Sequence, residues 1–102
     1  MSNSYVHPYT GEYVLVRTYA SGIHLGYLKE YDPQTRHIFL TDTRRIFLWE
    51  GAFTISAISV DGIKGGKLTV IIPEIMISDV LEIIKCSEKS IKNLKEFPVH
   101  TV

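Results

Sequence analysis

Turn signals recur so closely between residues 12 and 49 that this stretch has no room for a helix between successive β-runs. Glu12 to Tyr19 alternates, with Val14, Val16 and Thr18 on one side and Tyr13, Leu15, Arg17 and Tyr19 on the other. Ala20-Ser21-Gly22 breaks the run, and Gly22 can take the positive φ of a tight hairpin. Ile23 to Tyr31 forms the second run, closed by Asp32-Pro33-Gln34-Thr35, where Pro stands at the turn position that suits its fixed φ. Arg36 to Leu40 reads as a third strand, Thr41-Asp42-Thr43 as a turn, and Arg44 to Trp49 as a fourth strand. Strands this close in sequence pair as an antiparallel meander.

The remainder is mixed. Thr54 to Val60 has a helical interval, Ile55 to Ile58, with Asp61-Gly62 as a stop; alternation fits almost as well, and a short helix is favoured. Gly65-Gly66 precedes the β-branched run Lys67 to Ile72, which Pro73 confines to an edge or ends. Ile75 to Lys85 is rich in Ile and Val and reads as a strand. Ser87 caps a short helix over Glu88 to Glu96, and Pro98 prevents its continuation. The expected fold is mainly β (α+β): a strongly bent, barrel-like antiparallel sheet of five or six strands with one or two short helices. Residues 1–11 form an N-terminal arm that orders only by docking, 12–97 one globular domain and 98–102 a tail. A sheet this small leaves free edges, and edges pair with other chains, so a homo-oligomer is expected.

Composition narrows the function. With 102 residues and 45% apolar content the chain suffices for one modest core. Its 11 basic and 11 acidic residues cancel, whereas duplex-binding domains carry a basic excess to displace counterions, so no duplex nucleic-acid partner is expected. The longest apolar stretch, Val70 to Ile77, contains Pro73 and Glu74 and is too short to cross a bilayer. The single cysteine, Cys86, builds no disulfide framework, and no secretory signal precedes the domain, so a reducing cytoplasm is the expected setting. HExxH, CxxC, GxxxxGK[ST] and GxSxG are absent, and His7, His24, His37 and His100 are scattered. No metal, no cofactor and no enzymatic activity are expected; a Cys86–His nucleophilic pair is the residual enzymatic reading.

The most suggestive constellation is Arg17, Tyr19, Ser21, Gly22 and His24 around the first hairpin, combined with Arg44, Arg45, Trp49 and Gly51. Arg presents a planar donor fork that fits phosphate or carboxylate. Trp and Tyr present faces for a base to stack on, worth about 1–3 kcal/mol per base. The glycines let backbone N–H groups approach an anion. The ligand-binding set is therefore Arg17, Tyr19, His24, Arg44, Arg45 and Trp49. The structural alternative is that Arg45, Phe47 and Trp49 simply stack along a strand.

Tyr13-Val14-Leu15-Val16-Arg17-Thr18-Tyr19, Ser21 to Gly26, Arg44-Arg45-Ile46-Phe47-Leu48-Trp49-Glu50-Gly51-Ala52, Pro73-Glu74-Ile75 and Glu82 to Cys86 together carry a resemblance. Over residues 13–95 the chain resembles a family of short proteins of tailed bacteriophages and prophages, grouped as a domain of unknown function. Lys85 departs from the Pro expected before Cys86. The resemblance implies a phage or prophage origin and action in the host cytoplasm. A non-enzymatic accessory protein that sequesters a nucleotide-type anionic ligand, and so counteracts host defence signalling, is the leading expectation. The alternative is a protein–protein module that inhibits a host protein or belongs to the virion.

Overall fold

β1 (Tyr13–Thr18) is buried on both faces, which is why its apolar residues run almost without interruption. The computed structural model describes residues 6–52 and 54–99. β2 (Ile23–Asp32) pairs with β1 through the hairpin at Gly22, whose φ is 90°. β3 (His37–Glu50) follows after the turn in which Gln34 N–H donates to Asp32 Oδ1. Then come α1 (Ile55–Asp61), β4 (Gly65–Leu68), β5 (Ile72–Ile77), β6 (Val80–Lys85) and α2 (Glu88–Glu96).

The strand order is β4-β3-β2-β1-β6, all pairs antiparallel, with β5 also on β3. β4 and β5 thus share one margin of β3: β4 takes residues 46–50 and β5 takes 38–43. β6 lies on the opposite margin, against β1. Only Ser78 and Asp79 join β5 to β6, so the sheet must curl to bring its margins together. The result is a half-barrel. Val14, Val16, Leu28, Ile38, Leu40, Ile77 and Val80 form one core cluster, to which both margins contribute. A second cluster lies under the helices and contains Tyr13, Leu15, Leu25, Ile46, Ile58, Leu68, Cys86 and Leu94.

Three strand expectations are corrected. Thr41-Asp42-Thr43 is not a turn: β3 runs through it, making three meander strands where four were expected. Asp42 takes φ 47°, and pairing steps from Leu25↔Arg44 to Tyr27↔Thr41. Opposite this bulge stands Gly26, where a Cβ would meet the Thr41 carbonyl oxygen and the Thr43 Cβ at 3.0 Å. An Asp that tolerates left-handed backbone and a glycine that yields space absorb the extra residue without ending the strand. The run Lys67–Ile72 is not one strand either, because β4 stops at Leu68 and β5 starts at Ile72. Pro73 lies inside β5, whose single neighbour is β3, so its missing N–H is accommodated at an edge. Ile75 to Lys85 divides between β5 and β6 at Ser78–Asp79.

The helices follow their caps. Thr54 Oγ1 accepts from Ala57 N–H at the start of α1, and Gly62 closes it at φ 78°. Ser87 caps α2 through Ser90 N–H. The two helices are joined by polar contacts: Ser90 Oγ donates to Ile58 O at 2.6 Å, and Asn93 bonds both the N–H and the carbonyl of Ile63. Residues 6–11 of the expected arm are docked, with Gly11 N–H on Leu28 O and Tyr9 against the barrel-side cluster. Val99 of the expected tail bridges Leu68. Residues 1–5 of the arm and 100–102 of the tail, His100 included, lie outside the described residues. Among the described residues no helix is long and apolar enough to cross a membrane.

Candidate functional site

The site arises where β3 outlasts its neighbour. Between Leu68 and Ile72 the chain leaves the ladder, and only Thr69 stays attached: its N–H donates to Arg45 O at 3.0 Å, and its Oγ1 accepts from Arg45 N–H at 2.8 Å. The interruption opens a cleft of about 220 Å³ lined by His24, Thr43, Arg44, Arg45, Thr69, Val70, Ile72 and Ile75.

Arg44 is the innermost charge and is 2% exposed. Its Nε–H donates to Thr69 O at 2.9 Å, and Nη1 donates to Leu94 O at 3.0 Å and to Phe97 O at 2.7 Å. α2 ends on Phe97 in extended conformation, without a left-handed residue to turn donors onto its last carbonyls. Arg44 supplies those donors and sets a cation at the negative end of the helix. Burial pulls its pKa below the ordinary arginine value. Among the described residues Nη2 is buried and has no partner, and the same holds for Thr43 Oγ1. Buried donors are nearly always paired in folded proteins, so two orphans in residues that line one cleft mark it out. Tyr13 Oη, the third buried polar atom without a partner among the described residues, belongs to a residue of the helix-side cluster.

Arg45 is exposed, and among the described residues its guanidinium makes no hydrogen bond or ion pair. His24, 2% exposed, shares a hydrogen bond of 3.1 Å between Nε2 and Ser21 Oγ. Burial first, and the Arg45 charge second, lower its pKa to about 4 against the opposing pull of Ser21 and Asp79. At neutral pH it is therefore an uncharged wall. Val70, Ile72 and Ile75 supply the apolar side. The arrangement suits an oxyanion: one buried guanidinium nitrogen, one buried hydroxyl and one free guanidinium.

Of the six residues expected to bind ligand, His24, Arg44 and Arg45 come together here. Arg17 stands on β1, exposed, with Nε 2.8 Å from Glu82 Oε1. Tyr19 projects from the hairpin and is 83% exposed. Trp49 packs against the helix-side cluster. None of these three lines the cleft. Cys86 is buried in the helix-side cluster, its thiol pushed up to about 11 by burial, and it does not line the cleft with His24. Thr43, Thr69, Val70, Ile72 and Ile75 were not singled out from sequence. The mark they left there was Pro73 beside a β-branched run, a sign of an edge that breaks. Two shallower depressions, of about 420 and 440 Å³, flank α2; exposed Lys89, Lys92, Lys95 and Glu96 contribute to their walls, and neither holds a buried orphan donor.

No curated protein and no solved structure gives a match. A family model described as a domain of unknown function does match, over residues 11–94, and so spans β1 to the greater part of α2. The chain belongs to that family, DUF6948.

Proposed function

We propose that this protein is a non-catalytic binder that captures an anionic ligand in the cleft between β4 and β5. One observation carries the reading: among the described residues Arg44 Nη2 and Thr43 Oγ1 are buried, unpaired donors in residues that line a single cleft. An unpaired buried donor costs about 1–3 kcal/mol, and a ligand oxygen recovers that cost. The free guanidinium of Arg45 adds a charge at the same place.

In its finer form the ligand is nucleotide-type and is sequestered by a phage or prophage protein to blunt a host signal, without turnover. The cleft offers the acid group its donors, whereas Tyr19 and Trp49 do not line it. Any ring that stacks on the base would come from a second copy of the chain. A thermal-shift series with inorganic phosphate, mononucleotides, cyclic nucleotides and short carboxylates tests the anion reading, and its nucleotide members test the finer form. Stabilisation that is lost in Arg45→Gln supports the anion reading; no shift with any anion overturns it.

A second reading rests on a separate observation. Val70, Ile71, Ile72 and Met76 are 57%, 41%, 37% and 49% exposed along and beside β5. Apolar side chains in water next to a sheet margin suit a protein partner. Pro73 and Glu74 interrupt the same margin, which favours side-chain packing over strand addition.

A further inference from the structure

The walls of the cleft restrict which anion it can hold; the inference rests on the binding reading above. Arg44 already gives Nε–H and Nη1 to the carbonyls of Thr69, Leu94 and Phe97, so Nη2 is what remains. Thr43 adds one hydroxyl and Arg45 one guanidinium. His24 is neutral at pH 7 and contributes no charge. These donors satisfy the two oxygens of a carboxylate. A phosphate monoester would bring a further oxygen and a second charge beside the side chains of Val70, Ile72 and Ile75, which offer it no hydrogen-bond donor. The space, about 220 Å³, also falls below the ~300–1,000 Å³ common for larger ligands.

The apolar residues point the same way. Val70 and Ile72 line the cleft while remaining 57% and 37% exposed, so a ligand that covers them removes apolar surface from water. We infer that the ligand is a monocarboxylate with a compact apolar body, branched aliphatic or small aromatic. Its acid group meets Thr43 Oγ1 and Arg44 Nη2, Arg45 supplies the nearby charge, and its body rests on Val70, Ile72 and Ile75.

The test is an amide-shift titration of the full chain with acetate, propionate, isobutyrate and isovalerate, then with inorganic phosphate and adenosine monophosphate at matched ionic strength. The signals to follow are those of Thr43, Arg44, Arg45 and Thr69. Affinity is expected to rise about 3–4-fold for each added buried carbon, and so about 30–60-fold from acetate to isovalerate when all three added carbons are buried. Ile72→Ser should weaken isovalerate about 5-fold more than it weakens acetate, because the body of the longer acid rests on that wall. Thr43→Val should weaken every carboxylate. A flat carboxylate series, or phosphate or the nucleotide binding at the same signals as tightly as isovalerate, overturns the monocarboxylate inference and leaves the anion reading standing. No response of these signals to any anion, with Thr43→Val indistinguishable from the parent, overturns both.

Discussion

The β1–β2 hairpin tip and the β4–β5 interruption hold the same kinds of residue, and they end in opposite states. At the tip every featured polar group has found a partner within the fold. Thr18 Oγ1 donates to Gly22 O and accepts from Ser21, Ser21 Oγ meets His24, Ala20 N–H donates to Asp79, and Arg17 pairs with Glu82. At the interruption, Thr43 Oγ1 and Arg44 Nη2 have none among the described residues. Both regions look like sites by residue type, yet only one keeps hydrogen-bonding capacity in reserve. Capacity left over after folding, and not richness in Arg, Ser and Tyr, distinguishes a place that can take a ligand from one that has stabilised itself.

The comparison can be broken most forcefully at Arg44, whose loss strands three carbonyls that it now satisfies. Arg44→Met is expected to lower stability by about 3–5 kcal/mol in urea unfolding, a large share of what a domain of this size possesses. A loss below about 1 kcal/mol would mean that the carbonyls find other partners and that the residue is free for ligand. Acid comes next, because His24 belongs to both regions: it bonds Ser21 at the tip and lines the cleft. Unfolded, it takes a proton near the ordinary histidine value of 6.5; folded, not until about 4. In that window the unfolded chain binds more protons, so stability present above pH 6.5 is lost as pH falls toward 4, by roughly 2–3 kcal/mol. Unfolding measured across this range should show the slope, and His24→Gln should flatten it.

Sharper, though smaller, is one substitution made in both regions. Thr18→Val removes a bonded hydroxyl and should cost about 1–2 kcal/mol. Thr43→Val removes an orphaned one and should raise the stability of the ligand-free protein by about 1 kcal/mol. Equal signs in chemical unfolding would erase the distinction between tip and cleft. The smallest effect belongs to Arg17→Gln: its ion pair is exposed on both sides, so a change under about 0.5 kcal/mol is expected in the same assay.

Local signals in the sequence carried the fold well. Gly22, Thr54, Gly62 and Ser87 each act where their backbone chemistry places them, and β1, β2, α1 and α2 follow from them. The bulge at Asp42 was not legible as a bulge, since its meaning depends on Gly26, 16 positions earlier in the chain and across a strand pair. The site was half legible. Arg45 and His24 face each other in the β2–β3 register, a consequence of the hairpin that the turn signals already imply. Arg44 joins them only because α2 ends beside it, and that contact spans 50 residues of sequence. Tyr19 and Trp49 have the rings to stack on a base, but side-chain type does not reveal that the core takes up Trp49 while Tyr19 projects into water. Thr43, Thr69 and the apolar wall required knowing that β3 outruns β4, a property of three strands at once.

Ser78 and Asp79 set the shape of the whole molecule. They connect strands attached to opposite margins of the sheet, and Asp79 is fastened to the hairpin through Tyr19 N–H and Ala20 N–H. The link works as a buckle: its length fixes the circumference around Val14, Val16, Ile38 and Leu40. Extra residues inserted there would leave every ladder intact and still let the girdle slacken, admitting water to a core that no single strand pair encloses.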